Sequence, residues 1–447
     1  MKFYLSNLKV NGCKNIDKEI ELKFCNSTIK KHVNFSKSNI KAIYGPNGSG
    51  KSAIVAAMYI YKRLLCDENG LNDTYLSSYV KEIINKETNK LEIDLSFLVY
   101  KNNDNIFIGA FKHFIRFIIK NDNVVIDEER VSKLSGNSLA DEKFIELIRI
   151  KESNIEYLLS KKEIKDSELY YKSLNTLDKK SIVSSVNKLD FKNDKSIEKS
   201  LLSLIYINCF AFDLLIYIEK EDLHTDFILE KEYLNKMNYL NNDNCTSFIN
   251  FDNELLFDLS VVDKDKVNKS SFKRYEKNIN KLFKFIKIFK PNLDLIKIEK
   301  KVAGEYYYCN KIFCYGSSEI DIEFESTGLK KLVRTFNALL GCSNGKIVFI
   351  DEFDANLHDV YFAKLVEFLK LYAKGQLCFT THNLEPIDVL KDNSYSLDFL
   401  SNDSRISSWT KNGNKSPIKM YINGLIDYSP FNVDAVDFIS SLIEEEN

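Results

Sequence analysis

The chain has 447 residues, enough for two or three folding units at about 150 residues each. Lys plus Arg number 63 and Asp plus Glu 64, giving a net charge of −1, which excludes nucleic-acid binding driven by overall charge. Nine cysteines at irregular spacing form no Cys-x-x-Cys or Cys/His cluster, so zinc is not expected and free thiols of a reducing, cytoplasmic compartment are.

In chain order, Met1-Lys2-Phe3-Tyr4 opens without the long apolar run of a signal peptide. Ile20 to Phe24 alternates apolar and polar residues, and so does Ile93 to Val99; both read as half-buried strands. Ile40 to Tyr44 is a short strand that runs into Gly45-Pro46-Asn47-Gly48-Ser49-Gly50-Lys51-Ser52, after which a helix extends to about Cys66. Leu201 to Ile218 is almost wholly apolar, but Asn208 and Asp213 interrupt it. A buried core segment is expected there and not a membrane span, since a central aspartate costs about 2.5–3.5 kcal/mol in a bilayer.

The stretch 126–300 is rich in Lys, Asn, Glu and Ser and reads as a mostly helical insertion between two α/β parts, 1–125 and 301–447. Its clearest helix is Ser271 to Lys290, stopped by Pro291. The outer side of that helix carries Lys273, Arg274, Lys277, Lys281, Lys284 and Lys287, a solvated face or a nucleic-acid contact. Cys309 and Cys314 are expected to flank a strand hairpin. Ile320 to Phe324 alternates as a strand, and an amphipathic helix runs from Gly328. Ile347 to Ile350 and Leu377 to Phe379 are continuous apolar runs, as in strands buried on both faces. Between them lies a helix, Asp359 to Ala373, closed by Gly375.

The chemistry sits at the joints of these elements. Residues 45–52 fit G-x-x-x-x-G-K-[ST] between a strand and a helix. Glycines there let backbone N–H groups turn toward phosphate oxygens, and the helix N-terminus adds positive potential. Lys51 is then expected at the β- and γ-phosphates of ATP and the Ser52 hydroxyl on Mg²⁺. The strand Ile347 to Ile350 ends in Asp351-Glu352. Asp351 is expected in the Mg²⁺ shell, and Glu352 to orient or deprotonate the attacking water. His382, after the next strand in Thr380-Thr381-His382-Asn383, is placed to contact the γ-phosphate. Ser326-Thr327-Gly328 reads as a helix N-cap with outward N–H groups.

This set resembles the ABC-class ATPases, and more narrowly the SMC-like and OLD-like (overcoming lysogenization defect) branch of prokaryotic DNA repair and phage defence. The resemblance rests on the phosphate loop, Glu325-Ser326-Thr327-Gly328-Leu329-Lys330-Lys331-Leu332, Asp351-Glu352-Phe353-Asp354 and Thr381-His382-Asn383. It covers 1–125 and 301–447 and implies an ABC-type ATPase head, a mixed sheet with flanking helices, split by the insertion. It also implies that Ser326 and Gly328 serve the ATP of a second subunit in a homodimer or higher homo-oligomer, with Asp354 linking the two sites. The signature differs from the transporters' Leu-Ser-Gly-Gly-Gln. The Q-loop glutamine is absent, since the single glutamine, Gln376, follows the acidic pair; a residue near Ser96 or in the next hairpin is expected in its place.

Some OLD-like proteins carry a Toprim nuclease after the ATPase. Only residues 383–447 follow His382, and Asp392, Asp398 and Asp403 are too dispersed for that site. The expectation is therefore an ATPase that switches between open and clamped states and controls an effector protein from a neighbouring gene, in antiviral defence. The alternatives are an SMC-like DNA repair ATPase using the basic helix, or a scaffold in which ATP is structural.

Overall fold

The computed structural model describes residues 1–26, 38–67, 69–101, 106–136, 138–158, 177–188, 199–218, 257, 259–409 and 416–426. Its first sheet is antiparallel and seven-stranded. It comprises β1 (Lys2–Asn11), β2 (Ile20–Lys23), β4 (Lys90–Tyr100), β5 (Phe107–Lys120), β6 (Asn123–Leu134), β7 (Phe144–Lys151) and β8 (Asn154–Leu158), in the order β2-β1-β4-β5-β6-β7-β8.

The second sheet is six-stranded: β3 (Ile40–Tyr44), β9 (Leu214–Tyr217), β14 (Ile347–Ile350), β15 (Gln376–Thr380), β16 (Leu397–Leu400) and β17 (Ile406–Ser408), ordered β17-β16-β3-β15-β14-β9. It is parallel except at the β16–β17 edge. A third sheet has four strands: β10 (Asp265–Asn268), β12 (Tyr306–Tyr315) and β11 (Leu295–Ala303) in that order, with β13 (Ser318–Asp321) paired to β12.

The apolar runs of the six-stranded sheet are continuous because both faces are covered. Ile43, Ile347, Phe349 and Cys378 point to one side. There they meet α1 (Lys51–Cys66), α3 (Lys199–Asp213) and the inner face of the seven-stranded sheet. Ala42, Val348, Ile350 and Phe379 point to the other, against α5 (Thr327–Ser343), α6 (Asp359–Tyr372) and α7 (Glu385–Leu390). Helix α1 is apolar nearly all round since it lies between two sheets. Each large side chain it buries, such as Ile60 or Leu64, contributes about 1.5–3 kcal/mol. Further on, α4 (Phe272–Phe289) packs Tyr275, Ile279, Leu282 and Ile286 against the inner face of the four-stranded sheet and against α5. Two shorter helices, α2 (Thr74–Ile83) and α8 (Pro417–Ile422), complete the described set.

The α/β character and the mixed sheet are as expected, and the strands and helices that carry the motifs fall where the sequence places them. Four expectations need correction. The segment 126–300 is not mostly helical among its described residues: it holds most of β6, all of β7, β8, β9 and β10, and part of β11, beside α3 and α4. Strand β6 crosses the expected 125/126 boundary, and β9 is an edge strand of the parallel sheet. Bulges cause the misreading. The β5–β6 register shifts between Arg116 and Phe117, so burial in β6 steps from Ile126 to Glu129, a helix-like spacing of three.

The other three corrections are local. Cys309 and Cys314 lie on one strand, β12, and do not flank a hairpin. The strand expected over 320–324 ends at Asp321, whose carboxylate accepts the Glu323 N–H and starts a 3₁₀ turn. Helix α6 ends in extended backbone at Ala373, so Gly375 is not its cap. Gly375 is needed because a Cβ there would lie 2.0 Å from the Lys346 carbonyl oxygen.

Leu201 to Ile218 is core, as α3 and then β9. Asn208 donates to the Leu65 carbonyl (2.9 Å), and Asp213 pairs with Lys346 (2.7 Å). Among the described residues no helix is long and apolar enough to cross a membrane. Cys245 lies outside the described residues, and the other eight cysteines are unbridged.

Candidate nucleotide site

Strand β3 lies between β15 and β16 and delivers the phosphate loop to the end of the parallel sheet, where α1 begins. A buried ion pair fixes this strand: Lys41 bonds Asp398 of β16, and the Ser408 hydroxyl donates to the same carboxylate (2.6 Å). Gly50 caps α1 with φ +100°, a left-handed conformation open to glycine, and a Cβ there would meet Ile16 at 2.7 Å. Gly45 has no room for a side chain either; a Cβ would lie 2.3 Å from the Leu400 carbonyl oxygen.

Inside the loop, Lys51 Nζ donates to the carbonyls of Gly45 (2.8 Å) and Pro46 (2.9 Å). The Ser49 hydroxyl is buried and has no hydrogen-bond partner among the described residues. An ammonium resting on its own loop and an orphaned hydroxyl are groups that phosphate oxygens would satisfy. The residues therefore fit a nucleoside triphosphate, and Ser52 with Asp351 supplies hard oxygen donors suited to Mg²⁺.

The acidic side is built on two parallel neighbours, β14 and β15. Asp351 is buried and its N–H donates to the Tyr217 carbonyl of β9 (3.0 Å). Glu352 is exposed with φ +46°, unusual for a residue with a side chain. Thr380, at the end of β15, links the pair: its hydroxyl donates to Asp351 Oδ1 (2.6 Å) and accepts the Glu352 N–H (2.7 Å). The sequence reading missed this residue; two threonines closing a buried strand beside the acids were the available signal.

Asp354 accepts the backbone N–H groups of His382 (3.2 Å) and Asn383 (3.1 Å), so the turn after β15 is strapped to the acidic loop. Burial lowers the Lys51 pKa, and Asp351, Glu352 and Asp354 oppose the shift. Burial also lowers the His382 pKa, reinforced by the Lys51 charge and opposed by Asp354, Glu352 and Asp351. Lys51, the three acids and His382 thus share one electrostatic neighbourhood, although they come from three separate stretches of sequence.

Ser326 caps α5: its hydroxyl accepts the Leu329 N–H (3.4 Å), and its carbonyl accepts the Lys330 N–H. It is exposed, and these bonds stay within its own turn. Gly328 is pressed against the acidic loop, since a Cβ would lie 2.6 Å from the Asn356 carbonyl oxygen. Gln376 is remote in role from any nucleotide contact. Its amide is buried and bonds both backbone groups of Leu5 in β1. Ser96, considered as a substitute for the Q-loop glutamine, is buried in β4 and bonds Ser6 (2.8 Å).

The Smc head domain of Pyrococcus furiosus, with an extended coiled coil and bound to the C-terminal domain of ScpA, is 17% identical with a TM-score of 0.43, over 91% of this chain and 96% of that one. The SMC head domain of Thermotoga maritima is 14% identical (TM-score 0.28, 91% and 99% covered). The recombination mediator protein RecF of the RecFOR pathway is 14% identical (TM-score 0.35, 92% and 99% covered). No curated protein matches the chain. The family described as "AAA domain, putative AbiEii toxin, Type IV TA system" matches residues 40–388, from the strand before the phosphate loop to beyond His382, and the chain belongs to that family of ATPase domains.

Proposed function

We propose that the protein is an Mg²⁺-dependent ATPase that binds ATP between two copies of itself and uses the open and clamped states to control a separate effector. The observation that carries this reading is the loop of residues 45–52, with Lys51 held on its own carbonyls and the Ser49 hydroxyl orphaned, in the same electrostatic neighbourhood as Asp351, Glu352, Asp354 and His382. Lys51 and the loop N–H groups hold the phosphates, and Ser52 and Asp351 hold Mg²⁺, which when bound neutralises phosphate charge. Glu352 orients the attacking water and takes its proton, and His382 bonds the γ-phosphate. His382 serves as a neutral side chain, because burial and Lys51 disfavour its protonation.

Ser326 and Gly328 complete the pocket of the second copy. The exposed α5 N-terminus supports this role, since its cap leaves first-turn N–H groups outward for an anion. The family's description names an AbiEii-type toxin of a type IV toxin–antitoxin system, which supports a place beside a partner protein; the antiviral setting rests on the motif resemblance alone. The unbridged cysteines support a cytoplasmic setting. A second reading, a DNA maintenance ATPase, is favoured by one observation: all six cations expected on the outer side of α4 are exposed.

The test is Glu352→Gln, followed by light scattering and phosphate release. The clamp reading expects ATP to convert monomer to a long-lived dimer while hydrolysis falls at least a hundredfold. Hydrolysis at the wild-type rate would overturn it. An ATP-dependent assembly that is the same in both proteins, with little turnover in either, would favour the scaffold.

A further inference from the structure

We propose that the solvent face of the four-stranded sheet is a platform for single-stranded nucleic acid. The inner face of this sheet, with Val267, Ile296, Cys309 and Phe313, is sealed against α4. Alternation then turns Lys266, Asn268, Lys301, Tyr306 and Tyr308 to the outer face. Cross-strand register places Lys266, Tyr308 and Lys301 in one row across β10, β12 and β11. Asn268, Tyr306 and Ala303 form the next row.

The two tyrosines are two residues apart on the central strand, 39% and 38% exposed, about 6.7 Å along it. Extended single strands splay successive bases over such a distance, and aromatic rings on a sheet face stack them. The ammonium of Lys266 lies 4.3 Å from the Tyr306 ring centre, so base and phosphate would find an aromatic face and a cation side by side.

Charge limits the platform to this end of the sheet. Beyond the tyrosines, Lys297 is spent on Glu319 (3.2 Å) and Glu299 (3.4 Å), and Asn310 bonds Asp321 (2.5 Å). Glu305, in the β11–β12 turn, is the acid beside the rings in sequence. Duplexes bury their base faces, so exposed rings select single strands. The platform is distinct from the cations on α4, because that helix covers the opposite face of the same sheet. It also stands independently of the nucleotide reading.

The experiment is fluorescence anisotropy of the full chain with labelled oligothymidylate and with a duplex of equal length, without ATP, over a salt series. The wild type is expected to prefer the single strand. Tyr306→Ala with Tyr308→Ala should weaken binding at least tenfold, and Tyr306→Phe with Tyr308→Phe should retain it. Lys266→Ala with Lys301→Ala should flatten the slope of log affinity against log salt by about 1.4. Lys281→Ala with Lys284→Ala should change neither. No binding by the wild type, equal affinity for duplex, or wild-type binding by the folded double alanine variant would overturn the proposal. Loss confined to the α4 variant would do so too.

Discussion

Replacing Gln376 by leucine should destabilise the fold while leaving nucleotide binding intact. Gln376 opens β15 in the parallel sheet, yet its side chain reaches β1 of the antiparallel sheet. Its Nε2 donates to the Leu5 carbonyl (3.0 Å), and its Oε1 accepts the Leu5 N–H (2.7 Å). Strand β2 pairs with β1 only from Asn7 to Val10, so the glutamine amide substitutes for a neighbouring strand at Leu5. Both residues are buried, Gln376 3% and Leu5 1% exposed.

Gln376→Leu keeps the volume but leaves a buried N–H and a buried C=O unsatisfied, at about 1–3 kcal/mol each. Regained apolar burial offsets part of this, leaving a net loss of about 2–4 kcal/mol. With an m-value of at least about 3 kcal/mol/M, the urea midpoint should fall by up to about 1.3 M. Fluorescence of Trp409, the only tryptophan, reads the transition. Gln376→Glu should be no better, because its second oxygen would face the Leu5 carbonyl. Wild-type stability together with lost ATP binding would refute the reasoning and return this glutamine to the nucleotide site.

Thr380→Val removes the hydroxyl between Asp351 and Glu352. The Mg²⁺ concentration for half-maximal hydrolysis should rise about tenfold or more, with Thr380→Ser rescuing it; an unchanged Mg²⁺ titration would sink the assignment. Gly328→Ala should cost about 1–3 kcal/mol in urea unfolding through contact with the Asn356 carbonyl. Helix propensity alone favours alanine by about 1 kcal/mol, so a stabilised variant would exclude that contact. His382 has a folded pKa below its ordinary 6.5, so the unfolded chain binds the extra proton. Its contribution is intact above pH 6.5 and declines as pH falls from there toward the folded value. His382→Gln should flatten stability against pH in that window, and an unaltered profile would contradict the shift.

The candidate nucleotide site stands out in the sequence because its chemistry is local. A phosphate loop must be contiguous to wrap an anion, and an acidic pair must end a strand to reach it. Strands β3, β14 and β15 announced themselves as apolar runs because both their faces are covered. The segment after residue 125 was not legible, since its strands keep charge on one face and bulges break the alternation. Arg116 of β5 bonds Glu92 (2.7 Å) and Glu128 (2.9 Å) across three strands, a network that in sequence looks like solvated helix. The roles of Gln376 and Thr380 were invisible for another reason. Their partners Leu5 and Asp351 are set by sheet stacking and parallel register, which composition does not encode.

The loop from Asp351 to Asp359 then explains why a glycine is needed at position 328 even before a second copy is considered. At its start the loop is tied to β15 by Thr380. In its middle, the Asp354 carboxylate holds the N–H groups of His382 and Asn383. Near its end, Asn356 has φ +61° and sets its carbonyl against Gly328. Beyond it, Asn383 donates to Asp359 (2.7 Å), closing the turn onto α6. A loop so tied has little freedom to shift alone, because it is held to β15 and the turn after it on one side and packs on α5 at the other. In the clamp proposed above, the His382 end faces one nucleotide and the Ser326 end the other. A displacement at one would be carried to the other through Asp354, Asn356 and Gly328. Coupling between the two sites would then need no contact beyond those already within one chain.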